Sequence, residues 1–263
     1  MSVWELISYT RQRIRGKRAE LLFVCMPPIA AVLLFRLAEA AFYSILLYFG
    51  ALSPAELFTA GHFGQFIIAA LMTLLRWGIA APLICAAAVK LRSIVGERAE
   101  SINTSDFLLS GAFVGRSISA YLSVKILCFA AFLPSALLIM YSYTLLTNGG
   151  DSEELFAAWN AAALAFVFAA LWLYVRISMT VVPFLLAEYP ERKAMACVMM
   201  ALGFMRGRKR LPVKLALTYI LPIATVVGIP VFLPEFAAAF ATGISIYIKE
   251  DEYARSALQR RVR

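Results

Sequence analysis

The chain has 263 residues, 62% of them hydrophobic and only 16% charged, with a mean hydropathy of +0.79. That balance lies far from an ordinary soluble domain. The net charge of +9 would suggest nucleic acid in a soluble protein, but here the basic residues are parcelled out between long apolar runs. The pattern argues against a nucleic-acid partner and for an integral membrane protein.

Lys and Arg crowd Arg11 to Arg18, vanish between Leu46 and Arg76, and return from Lys90 to Arg116. They vanish again between Lys125 and Arg176, crowd Arg192 to Lys214, vanish from Leu215 to Ile248, and return from Lys249 to Arg263. Cytoplasmic loops of bilayer-spanning proteins retain basic residues and translocated loops lose them. The alternation therefore predicts an integral membrane protein with both termini in the cytoplasm. The bare loops near Glu56, Asp151 and Glu235 then face outside.

In chain order, residues 1–20 read as a basic interfacial helix, amphipathic over Val3 to Glu20. The basic-then-apolar start resembles a signal peptide, but the long apolar run and the spans that follow favour an uncleaved first helix. A first span runs from Leu21 to Phe49 with Pro27-Pro28 in its opening turns, and a second from Phe63 to Val89. The turn Ser53-Pro54-Ala55-Glu56 separates them. A second interfacial helix is expected over Ser105 to Ser117, with Thr104 or Ser105 as its N-cap. Spans three and four cover Tyr121 to Thr147 and Leu155 to Ala187, joined through Asn148-Gly149-Gly150-Asp151.

Glu188-Tyr-Pro190 ends that helix, and Glu191 to Arg210 forms a third interfacial segment with Met195, Val198, Met199, Leu202 and Met205 at helical spacing. The last apolar stretch, Leu211 to Ile248, carries Pro212, Pro222, Pro230 and Pro234. It splits at Gly228 to Pro234 into a fifth span and a short sixth, whose 235–248 segment either crosses or re-enters. The expected fold is a single all-α domain over 1–263: a polytopic bundle of about six transmembrane helices over 21–248, interfacial helices on its cytoplasmic side, and a basic tail over 249–263.

The order of interfacial helix then hairpin occurs three times. Arg76 before Pro82-Leu83 is echoed by Arg176 before Pro183-Phe184, and Val124-Lys125 by Val213-Lys214. Duplication and chance both account for an echo whose spacing drifts by a residue or more.

The stretch from Arg176 to Pro190, reading Arg-Ile-Ser-Met-Thr-Val-Val-Pro-Phe-Leu-Leu-Ala-Glu-Tyr-Pro, then Ala194 to Met205 and Gly207-Arg-Lys, resembles a bacterial multi-pass membrane family catalogued as a domain of unknown function. It is also similar to the non-catalytic membrane domain of some glycerophosphodiester phosphodiesterases. The likeness covers about Arg176 to Leu221. Ile177 stands where that family has an aromatic residue, and Gly203 where it commonly has Ser. The resemblance implies a multi-pass helical fold and no established activity.

Ionisable residues at membrane depth mark function or a partner. Arg36 and Glu39 lie mid-span at i and i+3, with Tyr43 one turn on; Arg76 lies mid-span in the second helix. Arg176 and Lys125 lie nearer the inner boundary. These five form either a basic cavity with Glu39 as counter-ion, suited to an anionic headgroup or solute, or a structural Arg36–Glu39–Arg76 lock with Arg176 and Lys125 snorkelling. Arg206, Arg208, Lys209 and Arg210 are expected at lipid headgroups. The Met cluster reads as a docking surface or as buried packing.

Four cysteines, Cys25, Cys85, Cys128 and Cys197, are scattered and read as small buried hydrophobes, and the one histidine, His62, has no partner for acid–base chemistry. No phosphate loop, nucleophile elbow or metalloprotease motif occurs. The expectation is a non-enzymatic membrane protein without metal or cofactor. It would bind anionic lipid or serve as a membrane partner or accessory protein, with a second membrane protein or another copy of itself as partner. The alternative is a permease-like transport component for an anionic or amphiphilic solute.

Overall fold

In apolar surroundings every backbone N–H and C=O must find a partner within the chain, a condition that a helix meets by itself. The computed structural model describes residues 2–48, 63–95, 110–147, 151–224 and 228–262, and among these every regular element is a helix. They are α1 (Val3–Arg13), α2 (Arg18–Tyr48), α3 (Phe63–Val95), α4 (Gly111–Thr147), α5 (Ser152–Met179), α6 (Val182–Glu188), α7 (Ala194–Phe204), α8 (Arg210–Ala224) and α9 (Gly228–Val262). Among the described residues four stretches are long and apolar enough to cross a membrane: Arg18–Phe42, Leu71–Val95, Gly111–Thr147 and Ser152–Glu188. Length and composition thus mark the chain as a membrane protein.

Local chemistry sets the breaks. α1 starts at a capping box in which Ser2 Oγ accepts from Glu5 N–H at 3.2 Å and Ser2 N–H donates to Glu5 Oε2 at 2.7 Å. Gly16, at φ 87°, stops the predicted Val3 to Glu20 helix after Arg13 and redirects the chain into α2. From Gly111 onward no breaker precedes the third span, so the segment expected as an interfacial helix there is the opening of α4; Thr104 and Ser105 lie outside the described residues. The fourth span is interrupted. Pro183 has no N–H to donate to the Met179 carbonyl, so α5 ends at Met179 and α6 begins with Pro183 in its first turn. α6 stops at Glu188, and Tyr189 leaves the helical region (φ −115°, ψ 72°), as the residue before Pro190 must.

The single domain expected from hydropathy is organised as two compact units, residues 1–118 with 215–263 and residues 119–214. In the first, α2, α3 and α9 pack on one another and α1 packs on α9. Ala80, Ala81, Ala238 and Ala239 are fully buried there, small residues that let helices approach closely. Leu6 and Ile7 of α1 and its C-cap Ile14 are buried along with Ile244 and Ile248 of α9. In the second unit, α4 and α5 are joined by hydroxyls: Ser135 Oγ donates to Ala165 O at 3.0 Å and Ser142 Oγ to Ala158 O at 2.9 Å. Ala158, Ala161 and Ala165 supply the close-approach face. α7 packs against α5 and α6.

The Met stripe divides. Met195 and Met199 are exposed while Val198 and Met205 are buried, so the helix buries one edge only. The echo of Arg76 with Arg176 does not extend to structure: Pro82 sits inside the continuous α3, whereas Pro183 opens a new helix. Residues 249–262, expected as a tail, continue α9. The segments expected as outer turns, Ser53 to Glu56 and Asn148 to Gly150, and His62 lie outside the described residues.

Candidate functional site: paired charges on apolar helices

Glu39 of α2 is the hub of the first cluster. Its Oε2 accepts from Arg36 Nη1 at 3.1 Å, one turn back on the same helix, and from Arg76 Nη1 of α3 at 2.7 Å. The Arg76 side chain is 6% exposed, Glu39 16% and Arg36 62%, so the inter-helix pair is buried and the intra-helix one is not. Arg76 also lies over the Trp77 ring at 5.6 Å, and its Nε is buried with no hydrogen-bond acceptor. Two guanidiniums share one carboxylate. The cluster therefore carries one positive charge in excess, which suits an anion better than a cation.

The other residues singled out from sequence, Lys125 and Arg176, lie in the second unit. Lys125 is half-buried on α4 and Arg176 is exposed on α5. The basic run closes that unit: Arg208 lies over the Phe204 ring at 5.1 Å, the Lys209 ammonium stands on the Tyr174 ring, and Arg206 and Arg210 are exposed. A cation over a ring face is attracted by the ring's quadrupole.

A second buried carboxylate was not predicted as such. Glu235, expected in a bare outer loop, is 4% exposed. Its Oε1 accepts from Arg11 Nε of α1 at 2.5 Å and from the Tyr219 hydroxyl of α8 at 2.6 Å. The hydrogen bond to Glu235 pushes Arg11 further above the usual guanidinium range. Thr10 Oγ1 donates to Leu6 O at 2.7 Å and lies 3.3 Å from Thr242 Oγ1 on the next turns of α9. Nearby, Arg13 Nη1 donates to Val95 O at 2.6 Å, placing a cation on the carboxyl end of α3, where the helix dipole favours it. The signal was present in the sequence: an acid between Pro234 and Phe236, inside an apolar stretch, satisfies the criterion that flagged Glu39. The surrounding prolines drew Glu235 into a predicted turn.

All four cysteines are free and buried. Among the described residues no group of three His, Cys, Asp or Glu side chains could hold a metal ion. No family model, no curated protein and no solved structure matches this chain.

Proposed function

We propose that the chain is a non-enzymatic multi-pass protein of the bacterial cytoplasmic membrane, both termini inside, that binds anionic lipid and serves as an accessory partner in that membrane. The observation that carries this reading is the basic junction after α7, where Arg206 and Arg210 are exposed beside a helix whose Met195 and Met199 also face out. An apolar face bordered by cations suits the headgroup region of an anionic leaflet. The likeness of Arg176 to Leu221 to the multi-pass family is in keeping with it.

The same reading takes four crossings, with α8 and the first half of α9 as a hairpin that enters from the inner side and returns. Glu235 pairs with Arg11, whose helix belongs on the cytoplasmic face. That pairing supports the four-crossing reading over a sixth span with Glu235 outside. The test uses the full chain in anionic and zwitterionic nanodiscs, with hydrogen exchange read over α7. Protection of 194–205 that rises with anionic lipid and falls with salt is the expected result. Equal protection in both lipids would overturn the reading.

The excess positive charge at Arg36, Glu39 and Arg76 favours a second reading, an anion-transporting component. A cysteine at Thr73, one turn from Arg76, decides between them. Reaction with a small hydrophilic thiol reagent supports a wet pathway. Inertness supports a dry lock between α2 and α3.

A further inference from the structure

α1 and α7 are the same device built twice. Both are 11-residue helices. Laid over one another at one constant shift along the chain, Leu6, Ile7, Thr10 and Ile14 fall on Cys197, Val198, Ala201 and Met205, and all eight are at most 2% exposed. The exits coincide too. Ile14 (φ −89°, ψ 4°) and Met205 (φ −84°, ψ 0°) cap the two helices. Gly16 and Gly207 follow at φ 87° and 78°. Lys17 N–H donates to Ile14 O at 2.9 Å, and Arg208 N–H to Met205 O at 3.2 Å. The turns read Arg15-Gly-Lys-Arg18 and Arg206-Gly-Arg-Lys-Arg210.

Each turn also breaks an electrostatic rule. α2 begins at Arg18 and α8 at Arg210, so both clusters stand at the amino end of the next helix, where the dipole disfavours cations. Arg15, Lys17 and Arg18 are exposed and have no acidic partner among the described residues. Three adjacent cations repel one another as well. The same placement recurs at both turns, with Glu20 in the first turn of α2 and no acid in that of α8; the exposed cations, Arg15, Lys17 and Arg18 at one turn and Arg206 and Arg210 at the other, mark a place for an anionic ligand. A topology signal alone requires positive charge near the membrane. It does not require the same capped helix, buried register and left-handed glycine beneath that charge.

We infer that the Arg15–Arg18 and Arg206–Arg210 turns are two copies of one binding surface, each seating a phosphate-bearing lipid headgroup of the inner leaflet. This rests on the reading of the protein as an anionic-lipid binder and adds where, and how many, lipids it holds. The phosphate meets guanidinium and ammonium groups of the turn, and the exposed Trp4 of α1 or Met195 and Met199 of α7 accompany the acyl chains.

The test counts lipids retained by the detergent-purified full chain in native mass spectrometry, with phosphatidylglycerol as probe and phosphatidylethanolamine as reference. Two retained phosphatidylglycerols are expected for the native chain. One is expected for Arg15→Gln/Lys17→Gln/Arg18→Gln and one for Arg206→Gln/Arg210→Gln; none is expected when the sets are combined. The single changes Arg15→Gln and Arg206→Gln should each lower retention partway, and Lys193→Gln/Lys249→Gln, cations outside both turns, should leave two lipids bound. Retention that survives in the combined variant, or that falls equally with Lys193 and Lys249, overturns the twin surface while leaving lipid binding intact. No preference for phosphatidylglycerol in the native chain overturns the lipid-binding reading as well. Inorganic phosphate held at both turns without retained phosphatidylglycerol overturns the lipid assignment.

Discussion

At the scale of single residues, Glu39 and the two left-handed glycines carry the clearest consequences. Replacing Glu39 with Gln strands Arg76, which is buried against Trp77 with an Nε that already lacks an acceptor. Removing one partner of a buried pair costs about 3–5 kcal/mol, whereas an exposed pair such as Arg36–Glu39 is worth about 0–1 kcal/mol. Glu39→Gln should therefore lower the melting temperature in detergent far more than Arg36→Gln; equal shifts would show that Arg76 is solvated. Gly16 and Gly207 have open space where a Cβ would sit, so substitution meets backbone strain alone. Gly16→Ala and Gly207→Ala should each cost about 1–2 kcal/mol, read by chemical or thermal unfolding. The Arg36–Glu39–Arg76 grouping was legible in sequence because three charges interrupt otherwise unbroken apolar runs. Glu235 has the same character, but its neighbours Pro230 and Pro234 advertise a turn, and only tertiary structure brings Arg11 to it across 224 residues of chain.

At the scale of elements, helix type was easier to read than helix ends. Hydropathy located the apolar cores of α2 to α5, because runs of that length have few alternatives. The division of α5 from α6 depends on how Pro183 meets the Met179 carbonyl, and the fusion of the predicted second interfacial helix with α4 depends on the absence of a breaker. Apolar periodicity registers neither. The amino-terminal helix makes a pH prediction. The hydrogen bond with the Ser2 backbone holds the Glu5 carboxyl below its ordinary range. A carboxylate with a depressed folded-state pKa stabilises above its unfolded value, near 4.5, and loses that contribution as pH falls through the folded value. Amide exchange over α1, corrected for intrinsic rates, should accelerate on acidification below that range, and Glu5→Gln should remove the dependence. If α8 and α9 re-enter as proposed, a cysteine at Glu235 in a background lacking the native four should resist an impermeant thiol reagent on whole cells, while one at the exposed Ser152 should react. Labelling at both positions would restore the outer loop and a fifth and sixth crossing.

At the scale of the whole molecule, the division into units cuts across chain order. One unit takes residues 1–118 and 215–263, and the other is the uninterrupted stretch 119–214. Composition predicts the membrane class and the rough number of apolar helices, but contains nothing about which helices cluster, since that depends on matching small-residue faces and buried pairs far apart in sequence. Ending the chain at Lys214 removes α9, the helix on which α1 packs. Hydrogen exchange on the truncated chain should show α1 losing protection at Leu6 and Ile7, while the Ser135–Ala165 and Ser142–Ala158 links keep α4 and α5 protected. Loss of protection in both regions would show that the second unit depends on the first.

The Arg11–Glu235 contact has a consequence for how the protein is made. At about 5–20 residues per second, a ribosome needs on the order of 10–45 s to synthesise the stretch between these two partners. For that interval Leu6 and Ile7 of α1 have no α9 to pack against; with α1 on the inner surface, as proposed above, the bilayer is the apolar phase on which they would rest. The release of α1 onto α9 is then among the last events of assembly, and it moves Leu6 and Ile7 from lipid into protein. A chain stalled before Glu235 would leave α1 parked on the membrane, a discrete intermediate that a membrane-embedded quality-control protease could distinguish from the finished protein.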